Sequence, residues 1–139
     1  IISEDSQLTS IGDYTFYLCT GLKNITIPDG VTSIGDSAFS SCTGLTSLTI
    51  GSGVKSIGSS AFYNCDEIKE IICKSTTAPA LADKWVFYGV DKTATVYVPA
   101  ASVDTYKSAN IWSNSDRQAV AKPESSAKSG ARYLRLARR

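Results

Sequence analysis

The segment Val31–Gly53, VTSIGDSAFSSCTGLTSLTIGSG, decides the fold, because the chain repeats it. A near copy, LTSIGDYTFYLCTGLKNITIPDG, occupies Leu8–Gly30, and a more diverged one, VKSIGSSAFYNCDEIKEIICKS, starts at Val54. The starts at 8, 31 and 54 give a period of 23 residues. A fixed period of this length marks a solenoid, in which each repeat is one turn and stacks only on its neighbours.

The order of residues within a turn has mechanical content. Leu22–Ile27 (LKNITI) places Ile25 and Ile27 on one side and Asn24 and Thr26 on the other, which is strand alternation. Its copies are Leu45–Ile50 and Ile68–Cys73. Stacked in register, they form a parallel sheet at about 4.8 Å per rung. Pro28-Asp29-Gly30 and Gly51-Ser52-Gly53 turn the chain out of that strand. Val31–Ile34 reads as a second, short extended piece. Asp36, and in the flanking turns Asp13 and Ser59, then sit where an N-cap belongs, ahead of a brief helical turn holding Ala38, Phe39 and Cys42. Phe16, Phe39 and Phe62 should stack as an internal aromatic column. Ile2 is in phase with Ile25, Leu48 and Ile71, so residues before Leu8 read as the end of a preceding turn.

The third turn leaves the pattern after Cys73. Lys74–Pro79 is polar and turn-like, and Leu81–Val90 holds Trp85, Phe87 and Tyr88, too much aromatic surface for a loop. Thr95–Pro99 (TVYVP) restores the strand, with Val96 and Val98 matching Ile25 and Ile27 and Pro99 matching Pro28. Ser102 is placed to cap a helix over Val103–Ala109, and Trp112 to plug the open end of the core, as a solenoid terminus requires. Three segments follow: leucine-rich turns over 1–78, a C-terminal cap with a fourth strand and a short helix over 79–115, and a basic tail over 116–139. No comparable cap precedes Ile1. Further repeats upstream, a stacked partner, or end-to-end association through the uncapped first turn are expected there.

Charge separates the tail from the rest. Residues 1–115 hold seven Lys and no Arg against eleven acidic residues, a net of −4; residues 116–139 hold two Lys and five Arg against Asp116 and Glu124, a net of +5. The tail reads as disordered or as added to the natural sequence, with only Ala131–Arg139 able to form an amphipathic turn or two. A nucleic-acid arm is not expected, since no aromatic interleaving accompanies the Arg residues. There is no apolar run long enough for a membrane span. His is absent, which removes the commonest general base and transition-metal ligand.

The repeat I-x-I-P-x-x-V-x-x-I-G-x-x-A-F-x-x-C-x-x-L, present as ITIPDGVTSIGDSAFSSCTGL over Ile25–Leu45, resembles the BspA-like (Treponema-type) leucine-rich repeat family. The segment TVYVPAASVDTYKSANIW over Thr95–Trp112 resembles the C-terminal cap of such proteins. The resemblance implies an α/β fold: a right-handed leucine-rich-repeat solenoid of 23-residue turns, with short parallel strands, short helical turns and a cap. It further implies a secreted or surface-anchored bacterial protein used in adhesion to host proteins or other cells, without catalysis. Two departures stand out: Cys73 replaces the inward Ile of the earlier strands, and Ile72 the outward Thr.

Chemistry-bearing residues have simpler structural explanations. Cys19, Cys42 and Cys65 recur at the repeat period and behave as small core hydrophobes, with Cys73 beside them. None is paired at zinc-ligand spacing. A stacked column holds its Cβ atoms at rung spacing, wider than the ~3.8 Å of a disulfide, so free buried thiols are expected. Asp13 and Asp36 read as caps rather than a calcium ladder, and Asp66, Glu67 and Glu70 lack the facing cleft of a two-carboxylate hydrolase. No enzyme activity, metal or cofactor is expected. The candidate ligand-binding residues are the outward residues of the parallel sheet: Asn24, Thr26, Ser47, Thr49, Glu70, Ile72, Thr95 and Tyr97. The expected partner is a host or cell-surface protein or a glycan; the alternative is a spacer that lengthens a larger protein without its own ligand.

Overall fold

The computed structural model of the protein describes residues 7–91 and 94–109, together with the backbone of two strands at 122–124 and 133–137. The elements run in the order β1 (Ser10–Ile11), β2 (Asn24–Ile27), β3 (Ser33–Ile34), β4 (Ser47–Ile50), β5 (Ser56–Ile57), β6 (Glu70–Cys73), β7 (Ala80–Leu81), β8 (Thr95–Pro99), a 3-10 turn over Ala100–Ser102, α1 (Val103–Ser108), β9 (Lys122–Glu124) and β10 (Tyr133–Ala137). Each turn of the coil contributes one short and one longer strand. The short strands form a parallel sheet in the order β1-β3-β5-β7; the longer ones form a sheet in the order β2-β4-β6-β8-β10-β9. Register follows the repeat, with Ile25 paired to Leu48, Leu48 to Ile71 and Ile71 to Val96. The 23-residue solenoid is thus present as read, with Thr95–Pro99 as its fourth rung. Ile2 lies outside the described residues.

The segment between the two sheets departs from the helical turn expected after Asp36. Half of its N–H groups close tight turns, such as Ala38 N–H to Gly35 O (3.4 Å) and Cys42 N–H to Phe39 O (3.3 Å). The others leave the turn altogether: Ser37, Phe39 and Ser41 donate to the carbonyls of Ser59, Ala61 and Tyr63 in the next turn, at 2.8, 2.8 and 2.7 Å. This alternation requires left-handed residues, and Tyr14, Leu18, Ser37, Ser41, Ser60 and Asn64 all have φ between 53° and 61°. A left-handed residue directly after Asp13, Asp36 or Ser59 prevents a helix from starting there. The aspartates therefore cap the neighbouring turn instead of their own. Asp13 Oδ1 accepts from Asp36 N–H at 2.8 Å, and Asp36 Oδ1 from Ser59 N–H at 2.9 Å. Turns approach so closely here that only glycine fits beside them. A Cβ on Gly35 would lie 2.6 Å from the Asp13 nitrogen.

Hydrogen bonds have a direction along the coil. Donors in the turn segment point to the following turn. Donors around the strands, such as Thr32 to Thr9 O, Gly35 to Ile11 O and Thr46 to Lys23 O, point to the preceding one.

The core is a set of columns inside the coil. Phe16, Phe39 and Phe62 stack at 5.0 and 5.1 Å between ring centroids, nearly coplanar, and Phe87 extends the column at 5.5 Å. The fourth turn thus rejoins the pattern despite two extra residues, with Phe62 N–H bonded to Val86 O and Asn64 N–H to Tyr88 O. Cys42, Cys65 and Cys73 are buried and Cys19 is half-buried, all as free thiols. Cys42 Sγ donates to Phe16 O and Cys65 Sγ to Phe39 O, at 3.1 and 3.0 Å. The hydrogen bond with Cys42, together with burial, pushes the Cys65 thiol above its ordinary range; burial alone does so for Cys73.

The expected short helix is present over Val103–Ser108. Tyr106 of α1, fully buried, closes the end of the core and donates its hydroxyl to Ser75 O at 2.8 Å. Trp112, expected in that role, lies outside the described residues. Ser102 precedes α1 but makes no side-chain capping bond; it is buried instead. In the tail, expected to be irregular or to form an amphipathic turn, Leu134 pairs with Val98 and Arg135 with Tyr97 in antiparallel register, so that β10 continues the sheet edge of β8.

One polar link crosses two turns. Lys74 Nζ lies 3.0 Å from Asp29 Oδ1, which also accepts from Ser52 N–H at 2.8 Å. The Ser52 N–H first, and Lys74 in addition, hold the Asp29 carboxyl below its ordinary 3.8.

Three measurements check this packing. Phe39→Ala removes the centre of the ring stack and should cost about 3–5 kcal/mol in urea unfolding; Phe16→Ala, at the half-exposed end, should cost visibly less. A water-soluble maleimide should label native protein at Cys19 alone, with Cys42, Cys65 and Cys73 reacting only after unfolding. Asp29 has a lower pKa folded than unfolded, so its ionised form stabilises the fold above 3.8, and that gain vanishes as pH falls through the lower native value. The stability difference between the wild type and Asp29→Asn, under about 1 kcal/mol for so exposed a group, should therefore shrink to nothing on acidification.

Candidate functional site

Alternation along the longer strands sorts their side chains into two faces. Ile25, Ile27, Leu48, Ile50, Ile71, Cys73, Val96 and Val98 are buried, and the residues between them point away from the core. Register then assembles those outward residues into two straight columns. Asn24, Ser47, Glu70 and Thr95 form the first, and Thr26, Thr49, Ile72 and Tyr97 the second. The structure thus brings all eight sequence-predicted residues onto one continuous face. Asn24 and Thr26 are exposed; the other six are half-buried by their column neighbours.

The chemistry of this face changes along the coil. Its first two rungs present an amide and three hydroxyls. Its last two rungs present Glu70 and Thr95 beside Ile72 and Tyr97. Polar strand residues with small side chains pack into a flat surface with hydrogen-bonding groups at regular spacing. Ile72 and Tyr97 add apolar area on neighbouring strands, and Tyr combines such area with a hydroxyl at low entropic cost. By register, Arg135 of β10 and Glu124 of β9 follow Tyr97 in the same row.

One ion pair flanks this face. Lys69 Nζ lies 2.9 Å from Asp91 Oδ2, and this hydrogen bond raises the Lys69 pKa. Asp66 and Glu67 are exposed on the loop before β6. Among the described residues, no three His, Cys, Asp or Glu side chains are grouped to hold a metal ion. Among the same residues, no helix is long and apolar enough to cross a membrane.

A second surface feature escaped the sequence reading. On the turn segment, Tyr14, Tyr17 and Leu18 are exposed at the first turn, and Trp85 and Tyr88 at the fourth. Tyr14 and Tyr17 meet edge to face at 5.5 Å. Tyr88 stacks on Tyr63 at 5.5 Å and lies 5.1 Å from Trp85, over which Lys84 Nζ sits at 5.0 Å from the centroid.

Comparison with known proteins agrees with this geometry. The family model described as BspA type leucine rich repeat region (6 copies) matches residues 2–118. Among solved structures, a leucine-rich repeat protein from Bacteroides ovatus ATCC 8483 is similar at 35% identity and a TM-score of 0.56, over 73% of this chain and 24% of that one. The leucine-rich repeat protein of T. pallidum is similar at 26% identity and a TM-score of 0.52, over 66% of this chain and 41% of its own. The chain thus spans less than half the length of either protein. No curated protein matches it. Repeats of this kind form interaction modules, in which a stacked scaffold presents an extended surface. The match across most of the chain, the 23-residue register and the stacked Phe column together place this protein in the BspA type leucine-rich repeat family.

Proposed function

We propose that this chain is a non-catalytic binding module of a secreted or surface-exposed bacterial protein, engaging a host or cell-surface protein or a glycan through the outward face of the six-stranded sheet. The observation that carries this reading is the placement of Ile72 beside Tyr97 on a face that is otherwise polar. An apolar pair flanked by Thr49, Thr95 and the Glu70 carboxylate has the composition of an interface anchor with a polar rim. Its position supports the same reading. The pair stands where the repeat diverges, so its side chains are not dictated by the stacking that fixes Ser47 and Thr49 in the turn before.

The competing reading is a spacer, whose turns lengthen a larger protein without contacting a ligand. It draws support from the plain Thr and Ser columns of the first two turns, which suit any exposed strand.

The two readings separate in one experiment. The chain, or a longer protein that contains it, is tested for attachment to host extracellular-matrix proteins and to cells. Replacing Glu70, Ile72 and Tyr97 together by Ser or Thr should abolish attachment while leaving the melting temperature within a few degrees, because all three side chains lie outside the core. No attachment by the chain alone, together with undiminished attachment of the longer protein carrying the three substitutions, would support the spacer.

A further inference from the structure

A sheet edge is a row of backbone donors and acceptors, and folds guard it with charge, with proline or with a covering strand. The parallel rungs of the longer sheet end on β8. Its residues, Thr95-Val96-Tyr97-Val98-Pro99, include no charge, and proline stands only at the last position. β9, on which the whole sheet ends, reads Lys122-Pro123-Glu124. The β9–β10 hairpin thus moves the edge of the sheet from an unguarded strand to a guarded one.

Backbone parity shows what the hairpin covers. Thr95 N–H donates to Lys69 O at 2.9 Å, so Thr95, Tyr97 and Pro99 turn their backbone groups toward β6. Val96 and Val98 turn theirs the other way, toward β10. The proline of β8 is therefore on the wrong side of its strand to guard this edge. In β10 the backbone groups of Leu134 and Leu136 are turned to β8, and those of Arg135 and Ala137 to β9. Glu124 and Lys122 answer them from β9, which leaves Pro123, with no N–H to offer, on the outer edge. That is the placement by which a strand refuses a further neighbour. The hairpin also differs from the coil it covers. It joins β8 antiparallel, where every rung of the coil is parallel.

We infer that the β9–β10 hairpin is a strap over a self-association edge, and that the occupant of the β8 edge, once the strap is lifted, is β8 of a second copy. β8 is complementary to itself. An antiparallel pair centred on Tyr97 sets each Val96 opposite a Val98, and these are the residues whose backbone groups face that edge. Both valines then exchange both of their backbone bonds, with their buried side chains kept on the core face of each coil. Tyr97 meets Tyr97 on the outward face as the non-hydrogen-bonded pair at the two-fold axis. The pairing uses the strand sense and the hydrogen-bonding residues that β10 already uses. Being two-fold, it closes at a dimer. It also sets two Ile72–Tyr97 pairs side by side, but it does not depend on that face binding a ligand.

The test uses the full chain. Leu134 and Leu136 are replaced together by Pro, which removes the N–H groups that β10 turns to β8. Light scattering follows mass against concentration, and NMR follows amide exchange. Wild type should stay monomeric, with the Val96 and Val98 amides protected by β10. The double proline variant should approach twice the monomer mass as concentration rises. Its Val96 and Val98 amides should exchange freely when dilute and regain protection when concentrated. The Tyr97 amide, turned toward β6, should stay protected throughout, which shows that the coil remains folded. Adding Tyr97→Lys to the double proline variant should weaken the dimer about tenfold or more, because like charges then stand directly opposite. The inference is overturned if the double proline variant stays monomeric, or if wild type associates as strongly, since the hairpin would then be no strap. It is equally overturned if mass grows beyond a dimer, if Tyr97→Lys leaves the dimer intact, or if the Tyr97 amide loses protection with the strap broken, which would make the hairpin part of the coil's own fold.

Discussion

The structure depends on backbone hydrogen bonding between turns, held to a single register. Each turn is too short to bury its own apolar residues, and its strands of two and four residues would not persist alone. Stacking supplies both needs. Ladder bonds satisfy the strand backbone, and the same translation superimposes Phe on Phe, Cys on Cys and Ile on Leu inside the coil. A slip of one residue along a strand would turn Ile25 and Ile27 outward and Asn24 and Thr26 into the core. The phenylalanine stack and the carboxylate bonds from Asp13 and Asp36 enforce the same alignment from two further sides. Consistency among these layers is what makes a small repeat specify one structure.

Binding is then a matter of what is left over once stacking is satisfied. Inward columns are fixed by packing, and the outward columns are free to vary in chemistry. The sheet face presents hydroxyls, one carboxylate and the Ile72–Tyr97 pair. The turn segment presents Tyr14 and Tyr17 in the first turn and the stacked Tyr63 and Tyr88, with Trp85, in the third and fourth. These two surfaces are carried by different segments of each turn.

Most of the fold was legible because its governing signal is translational. A period of 23 and strand alternation suffice to place the sheet, its fourth rung at Thr95–Pro99, the Phe column and all eight outward residues. What was missed depends on information that residue types carry poorly. Ala38, Phe39 and Cys42 have the spacing of a helix face, but the left-handed φ of Ser37 and Ser41 breaks the helix, and serine has no marked preference for that conformation. Asp36 was recognisable as a cap, yet the N–H it satisfies belongs to the next turn, a long-range contact invisible in local sequence. The capping helix was readable, but that Tyr106 is the residue of it that seals the core depends on how the helix returns over the fourth rung, which its short sequence does not encode.

The opposed direction of the hydrogen bonds on the two sides of the coil has a consequence for length. In an α-helix every peptide dipole points the same way, and partial charges build up at the ends. Here the donors of Ser37, Phe39 and Ser41 face forward and those of Thr32, Gly35 and Thr46 face back, so their dipoles along the axis largely cancel. Adding a turn then adds core without adding end charge. A coil built in this way can grow to many turns, and its two ends stay electrostatically alike, whatever the number of repeats between them.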